Sequence, residues 1–284
     1  MRRLNAVLPV AAVSTALLLA GCSAEDSSTD AGSAGSASSC EPGALPTRTD
    51  GKLTVAAGEA YSPWYIGEKE SGEGFESALV YEVADRLGYA ADDVEWQLVT
   101  FEQIVSPSIK EFDFAAWQTS ISDERRKAVD FSSPYLTTRQ GVIVQEAGPY
   151  AGATTLDELK DLRIGVTAAQ TSLALAKGAF GDDADIVPFN GAGDGMTALQ
   201  SGTIDVMVMD VDQGVAASTE YFPDSVVVGT LPDQGTVEQY GLVLDLGSVL
   251  TDCVSAAVDS LEEDGTLADL RTTWLKSDDI PELG

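Results

Sequence analysis

From residue 52 onward, short apolar runs alternate with stretches of helical period. Leu53-Thr54-Val55-Ala56-Ala57 reads as a buried strand, and Leu79, Val80, Val83, Ala84 and Leu87 share one helical face that stops at Gly88. A strand is expected over 94–99, a short helix over 103–109 and a strand over 112–117. Past Gly141-Val142-Ile143-Val144 the alternation starts afresh. Thr155-Leu156-Asp157-Glu158 has the form of a capping box, 162–166 that of a strand, 171–180 that of a helix, and 204–209 that of an apolar strand ending in Asp210. A strand over 240–244 and helices over 248–263 and 267–275 complete the pattern. Repeated βα units predict an α/β fold of parallel-rich sheets with helices on both faces, and two such runs predict two lobes. Ligands of such sheets sit at the carboxyl ends of strands.

Residues 1–22 follow another pattern: Arg2 and Arg3, an apolar stretch through Leu17, Leu18 and Leu19, then Ala20 and Gly21 before Cys22. This is the form of a secretory signal peptide. Leu19-Ala20-Gly21-Cys22 resembles the bacterial lipobox, which implies cleavage before Cys22 and acylation, palmitate included, of its thiol. Two or three acyl chains make a stable anchor. An ordinary cleaved signal with an incidental cysteine is the plainer alternative. Ser, Ala, Gly, Thr and Asp dominate the residues that follow, and 23–48 is expected to be a flexible spacer. The folded part is then expected to be exported and held at the outer face of the cytoplasmic membrane by lipidated Cys22 alone. No later segment approaches the eighteen or so apolar residues of a membrane helix.

Two further cysteines, Cys40 and Cys253, form an even pair in an oxidising compartment, which favours a disulfide. Closing a loop of about 210 residues is worth at most ~5 kcal/mol in the chain-entropy model. Such a bridge returns the C-terminal helices to the first lobe. The expected division is 49–139 plus 240–284 for lobe 1 and 140–239 for lobe 2, with the chain crossing twice through a two-strand hinge.

Composition narrows the chemistry. The 284 residues hold 16 Lys plus Arg against 46 Asp plus Glu, a net charge of −30. That field repels phosphate backbones and excludes nucleic acid as a partner. The absence of histidine removes Ser-His-Asp and Cys-His nucleophiles and the usual zinc and non-haem iron ligand sets. Neither a metal nor a cofactor is expected. An enzyme built on this chain has carboxylates, lysine or tyrosine to work with.

Three stretches carry a resemblance. They are Gly74-Phe75-Glu76 with Tyr81 to Gly88; Thr119-Ser120-Ile121-Ser122-Asp123-Glu124-Arg125-Arg126-Lys127 with Val129-Asp130-Phe131-Ser132-Ser133-Pro134-Tyr135; and Ser201-Gly202-Thr203-Ile204-Asp205-Val206 with Asp210. Together they resemble the amino-acid-type (family 3) extracellular solute-binding proteins of ABC importers. The resemblance runs from Leu53 to Leu275. It implies a two-lobe, type II periplasmic-binding-protein-like fold, a monomer that closes on an amino acid, and partners in a membrane permease and its ATPase.

A zwitterion needs one fixed cation and one fixed anion a few ångströms apart. By resemblance, Arg125 grips the α-carboxylate with a forked guanidinium and Ser120 adds a hydroxyl donor. Thr171 opens a helix whose free N–H groups favour an anion. Asp210 holds the α-ammonium, and Tyr61 and Phe101 form aromatic walls worth roughly 0.5–2 kcal/mol. Trp117 and Gln118 fall beside the carboxylate site, and Thr167 sits where glutamine binders carry Lys. Spacing alone leaves blander readings open: a solvated basic face at Arg125-Arg126-Lys127, a helix cap at Asp210, core aromatics at Tyr61, Phe101 and Trp117.

Gly58, Met209 and Ala78 replace polar family residues and argue against a strongly basic ligand, although Glu59 stands next to Gly58. The competing function is an exported dehydratase-like enzyme, for which Glu59 is the candidate acid. A murein-cleaving enzyme needs a further catalytic domain, for which the residues up to Gly284 leave no room.

Overall fold

The computed structural model describes residues 40–235 and 237–284. Cys22, the expected signal peptide and the expected spacer as far as residue 39 lie outside the described residues. The strands are β1 (Leu53–Ala57), β2 (Val94–Leu98), β3 (Phe114–Ala115), β4 (Val129–Thr138) and β5 (Gln140–Gln145). They continue as β6 (Ile164–Thr167), β7 (Ile186–Phe189), β8 (Val206–Asp210), β9 (Ser225–Thr230) and β10 (Glu238–Asp245). One sheet has the order β2-β1-β3-β10-β4 and the other β7-β6-β8-β5-β9.

Each sheet combines a parallel half with an antiparallel half. β1 lies parallel between β2 and β3, and β6 parallel between β7 and β8, whereas β10 and β5 run antiparallel to their neighbours. The central parallel strands are covered on both faces, which is why they read as unbroken apolar runs instead of alternating. β4 contains Pro134 and survives as an edge strand, with irregular register against β10 where Pro134 faces Gly241.

The helical face read from Leu79 to Ala84 belongs to α1 (Phe75–Arg86) and is fully buried. The chain turns off it at Gly88, with φ of 82°. Helices α6 (Thr251–Glu263) and α7 (Thr266–Trp274) pack on α1, and Cys40 is disulfide-bonded to Cys253 of α6 with their Cα atoms 5.4 Å apart.

Three expectations need correction. The helix expected over 103–109 is α2 (Phe101–Val105): a reciprocal capping box between Thr100 and Gln103 starts it early, and it ends before Pro107. The strand expected over 112–117 shortens to β3, flanked by single hydrogen bonds to β1 from Asp113 N–H to Thr54 O and from Ala116 N–H to Ala56 O, before the chain turns at Gln118, φ 29°. The chain end does not stay with the first sheet. Thr230 N–H donates to Pro281 O at 2.8 Å, Leu283 N–H to Thr230 O at 2.9 Å, and Leu283 is buried in the core of the second sheet. The polypeptide therefore passes between the sheets a third time, after α7, and range 240–284 does not belong to lobe 1 throughout.

Candidate functional site

The carboxyl ends of β6 and β8 face the first lobe across a cavity of about 340 Å³, room for an amino acid. Tyr61, Phe101, Trp117 and Gln118 line it from the first lobe; Thr167, Thr171 and Asp210 line it from the second. Arg125 and Ser120, also expected there, are not among the lining residues. The Arg125 guanidinium lies 5.1 Å from the centroid of the Phe101 ring and donates to Ser120 O at 2.8 Å. Burial works against its charge, and the nearby carboxylates of Glu238 and Asp210 support it. The basic run thus splits: Lys127 is exposed, Arg125 turns inward.

The first-lobe wall is held from beneath. Glu76 of α1, with no exposure, accepts from Gln118 N–H at 2.7 Å, from Gln118 Nε2 at 2.5 Å and from the Tyr135 hydroxyl at 2.5 Å. These bonds fix Gln118 in its positive-φ backbone, and Gln118 Oε1 in turn accepts the Tyr61 hydroxyl. Desolvation pushes the Glu76 carboxyl up to about 7 against these hydrogen bonds. Phe101 meets Trp117 edge-on, with ring centroids 5.9 Å apart. A Cβ on Gly58 would fall 2.3 Å from the Trp117 ring, so the indole fills the space that a side chain at position 58 would need.

The second-lobe wall rests on strand and helix ends. Thr171 is the first residue of α3 (Thr171–Phe180). Asp210 takes the N-cap position of α5 (Val211–Ala216) without making a capping hydrogen bond; its Oδ1 accepts from Gln140 Nε2 at 2.6 Å. The helix-cap reading of Asp210 therefore fails. Desolvation, then the like charge of Glu238, lifts its carboxyl to about 7.

Gln140, Gln170, Ser172, Asn190 and Gln213 also line the cavity, and sequence reasoning missed all five. The clues were positional: Gln140 opens β5, Ser172 follows Thr171 at a helix start, and Gln213 follows Asp210 by three residues. Gln140 Oε1 and Ser172 Oγ are buried without a protein partner, and such atoms call for a ligand's polar groups. Glu238 was missed as well; its carboxylate accepts from Ser120, Thr171 and Gln140. Glu59 is exposed and does not line the cavity. Among the described residues no cluster could hold a metal ion, and no helix is long and apolar enough to cross a membrane.

The L-cystine-binding protein TcyJ of Escherichia coli strain K12 is 26% identical over 233 residues, covering 80% of this chain and 84% of its own. The glutamate-binding protein GluB of Corynebacterium glutamicum is 27% identical over 219 residues, covering 72% of each chain. Among solved structures, the ancestral amino acid-binding protein AncCDT-1, described as a precursor of cyclohexadienyl dehydratase, superposes with a TM-score of 0.64 at 26% identity. That match covers 79% of this chain and 95% of the other. The family model of the bacterial extracellular solute-binding proteins, family 3, matches residues 53–277. The chain belongs to that family of solute-binding proteins.

Proposed function

We propose that the protein captures an amino acid with an uncharged polar side chain between its lobes and delivers it to the permease of an ABC importer. The observation that carries this reading is the cavity between the lobes, which holds Asp210 among side-chain amides, with the Arg125 guanidinium against its Phe101 wall and within electrostatic reach of Asp210. Arg125 takes the α-carboxylate. Asp210 and the unpartnered Gln140 Oε1 take the α-ammonium. Gln118, Gln170, Asn190 and Gln213 offer donors and acceptors but no net charge to the remainder. The relatives' names differ in ligand, cystine for one and glutamate for the other, so it is the lining that selects the class.

Because the two charged groups sit on different lobes, full binding energy is available only when both lobes engage the ligand, which stabilises the closed arrangement. The hinge runs through Arg139, between β4 and β5, through the connection from β9 to β10, and through the segment after α7 that crosses a third time. The protein works outside the cell, tethered through lipidated Cys22, as a monomer. A thermal-shift screen against the twenty amino acids identifies the ligand, since a ligand at 100 times its Kd adds ~2.7 kcal/mol of stability. Arg125→Ala should then weaken binding of that amino acid by roughly 2–5 kcal/mol with little loss of fold stability. Calorimetry showing wild-type affinity in the variant overturns the site.

One observation favours a second reading, an exported dehydratase-like enzyme: Asp210 is a pocket carboxyl raised to about 7, a suitable range for acid–base work. Mass spectrometry of the bound solute after long incubation decides between the two. An unchanged solute supports the binding protein, and a product lighter by one water supports the enzyme.

A further inference from the structure

The Ser120 hydroxyl assigned to a ligand's carboxylate, and the hydroxyl of Thr171 at the helix start expected to favour that anion, are already engaged by a carboxylate of the chain itself. Oε1 of Glu238 accepts from Ser120 Oγ at 3.0 Å and from Thr171 Oγ1. Ser120 belongs to the first lobe and Thr171 to the second, while Glu238 is the first residue of β10, beside the crossing from β9. One oxygen thus ties both lobes together at the base of the cleft. The other oxygen, Oε2, accepts from Gln140 Nε2 at 2.8 Å, and the same Nε2 donates to Asp210. Glu238 is 8% exposed and forms no ion pair with Arg125, although its charge reaches that guanidinium.

We propose that Glu238 is an intramolecular stand-in for the ligand's carboxylate, holding Ser120 and Thr171 until an incoming amino acid displaces it. This rests on the proposed capture of an α-amino acid and adds the residue that competes with it. The displaced carboxylate has a place to go. Glu238 and Arg139 together line a second cavity of about 210 Å³ on the hinge side. Among the described residues the Arg139 guanidinium donates to the Thr230 hydroxyl and to the carbonyls of Ile280 and Ser277, and with five N–H groups it has further donors to offer a carboxylate. Movement of Glu238 is also transmitted to the ammonium end, because Gln140 links it to Asp210 through a single amide.

Two effects follow. Glu238 holds the lobes together without an amino acid, and it raises the Kd of every ligand that needs the same two hydroxyls. The first is tested with acetate as the probe and small-angle scattering as the readout. Glu238→Ala should have a larger radius of gyration than wild type in amino-acid-free buffer. Acetate in the tens of millimolar should restore the wild-type value, and acetamide, which lacks the charge, should not. The second is tested by calorimetry with L-glutamine, L-glutamate, L-arginine and L-cystine. Whichever of these binds wild type should bind Glu238→Gln about tenfold more tightly, because the amide keeps the side chain's volume and removes the competing anion.

Equal scattering of Glu238→Ala and wild type, or restoration by acetamide as well as acetate, overturns the proposal. So does an unchanged or weakened affinity in Glu238→Gln, and that arm stands alone should Glu238→Ala fail to fold. The acetate arm uses no amino acid and therefore remains informative if none of the four binds. Amino acids that bind wild type and Glu238→Gln equally sink the stand-in while leaving the binding function untouched.

Discussion

Affinity for the amino acid should fall steeply as the pH is lowered from 7 to 5, and Asp210 is the reason. Only its carboxylate form attracts an ammonium, yet burial and the neighbouring Glu238 raise its carboxyl to about 7 in the structure. At pH 7 about half of the sites carry the charge, and at pH 5 about one in a hundred. A bound ammonium cancels the desolvation penalty and pulls the group back toward the ordinary carboxylate range, so binding expels a proton. The sign follows: the free protein holds more protons than the complex, and acid favours the free protein. Between pH 7 and pH 5 the Kd should rise about 50-fold, a loss of roughly 2.3 kcal/mol. Arg125 stays charged throughout this range, and the amino acid's own ammonium does too.

Isothermal calorimetry at half-unit intervals measures the effect. Buffers of different ionisation enthalpy count the protons released, about one half at pH 7 and close to one at pH 5. Asp210→Asn should bind weakly at pH 8 and show a nearly flat profile. A wild-type Kd that stays within twofold from pH 7 to pH 5, or that tightens in acid, refutes Asp210 as the ammonium's partner.

Three shorter predictions accompany it. Glu76 holds a proton in the folded state between about pH 4.5 and 7 that the unfolded chain releases, so fold stability should decline as pH rises through that window, by about 3 kcal/mol from this group. Glu76→Gln should remove that part of the slope in denaturant titrations at pH 5, 6 and 7.5, and an unaltered slope sinks the assignment. Reducing the Cys40–Cys253 disulfide, which spans 213 residues, should lower stability by at most ~5 kcal/mol, and peptide mapping without reductant should recover the two cysteines linked, not as free thiols. Cys22→Ser should release the exported protein from the membrane fraction; unchanged partitioning counts against the anchor.

Much of the architecture was legible because it follows from burial. The runs at β1 and β8 and the helix α3 were readable because a two-sided apolar environment, or a single helical face, leaves a periodic trace in the sequence. What escaped has no such trace. The segment after α7 looks like a polar tail, and nothing local says that Leu283 is buried against the second sheet; only the partner surface at Thr230 decides it. β4 was not anticipated; it contains Pro134, which a sheet edge tolerates.

The candidate site divides along the same line. Arg125, Ser120 and Asp210 were singled out because they sit in motifs and Thr171 because it opens a helix; seven of the nine expected residues line one cavity, and Arg125 and Ser120 are the two that do not. The residues that give the cavity its character were not found. Gln140, Gln170, Asn190 and Gln213 come from four separate loops and element ends, and they acquire a common meaning only when the fold brings their amides together. Gly58 shows how such a position misleads. Read alone, it removes a polar group and leaves room at the side-chain end of the pocket. In the folded protein the Trp117 indole takes that room, with a hypothetical Cβ only 2.3 Å from the ring. Gly58 and the tryptophan form one unit, and the place of a side chain at position 58 is taken by an aromatic surface beside Phe101. The proposed preference for an uncharged polar side chain rests on that pairing, a flat apolar wall on one side and neutral amides on the other.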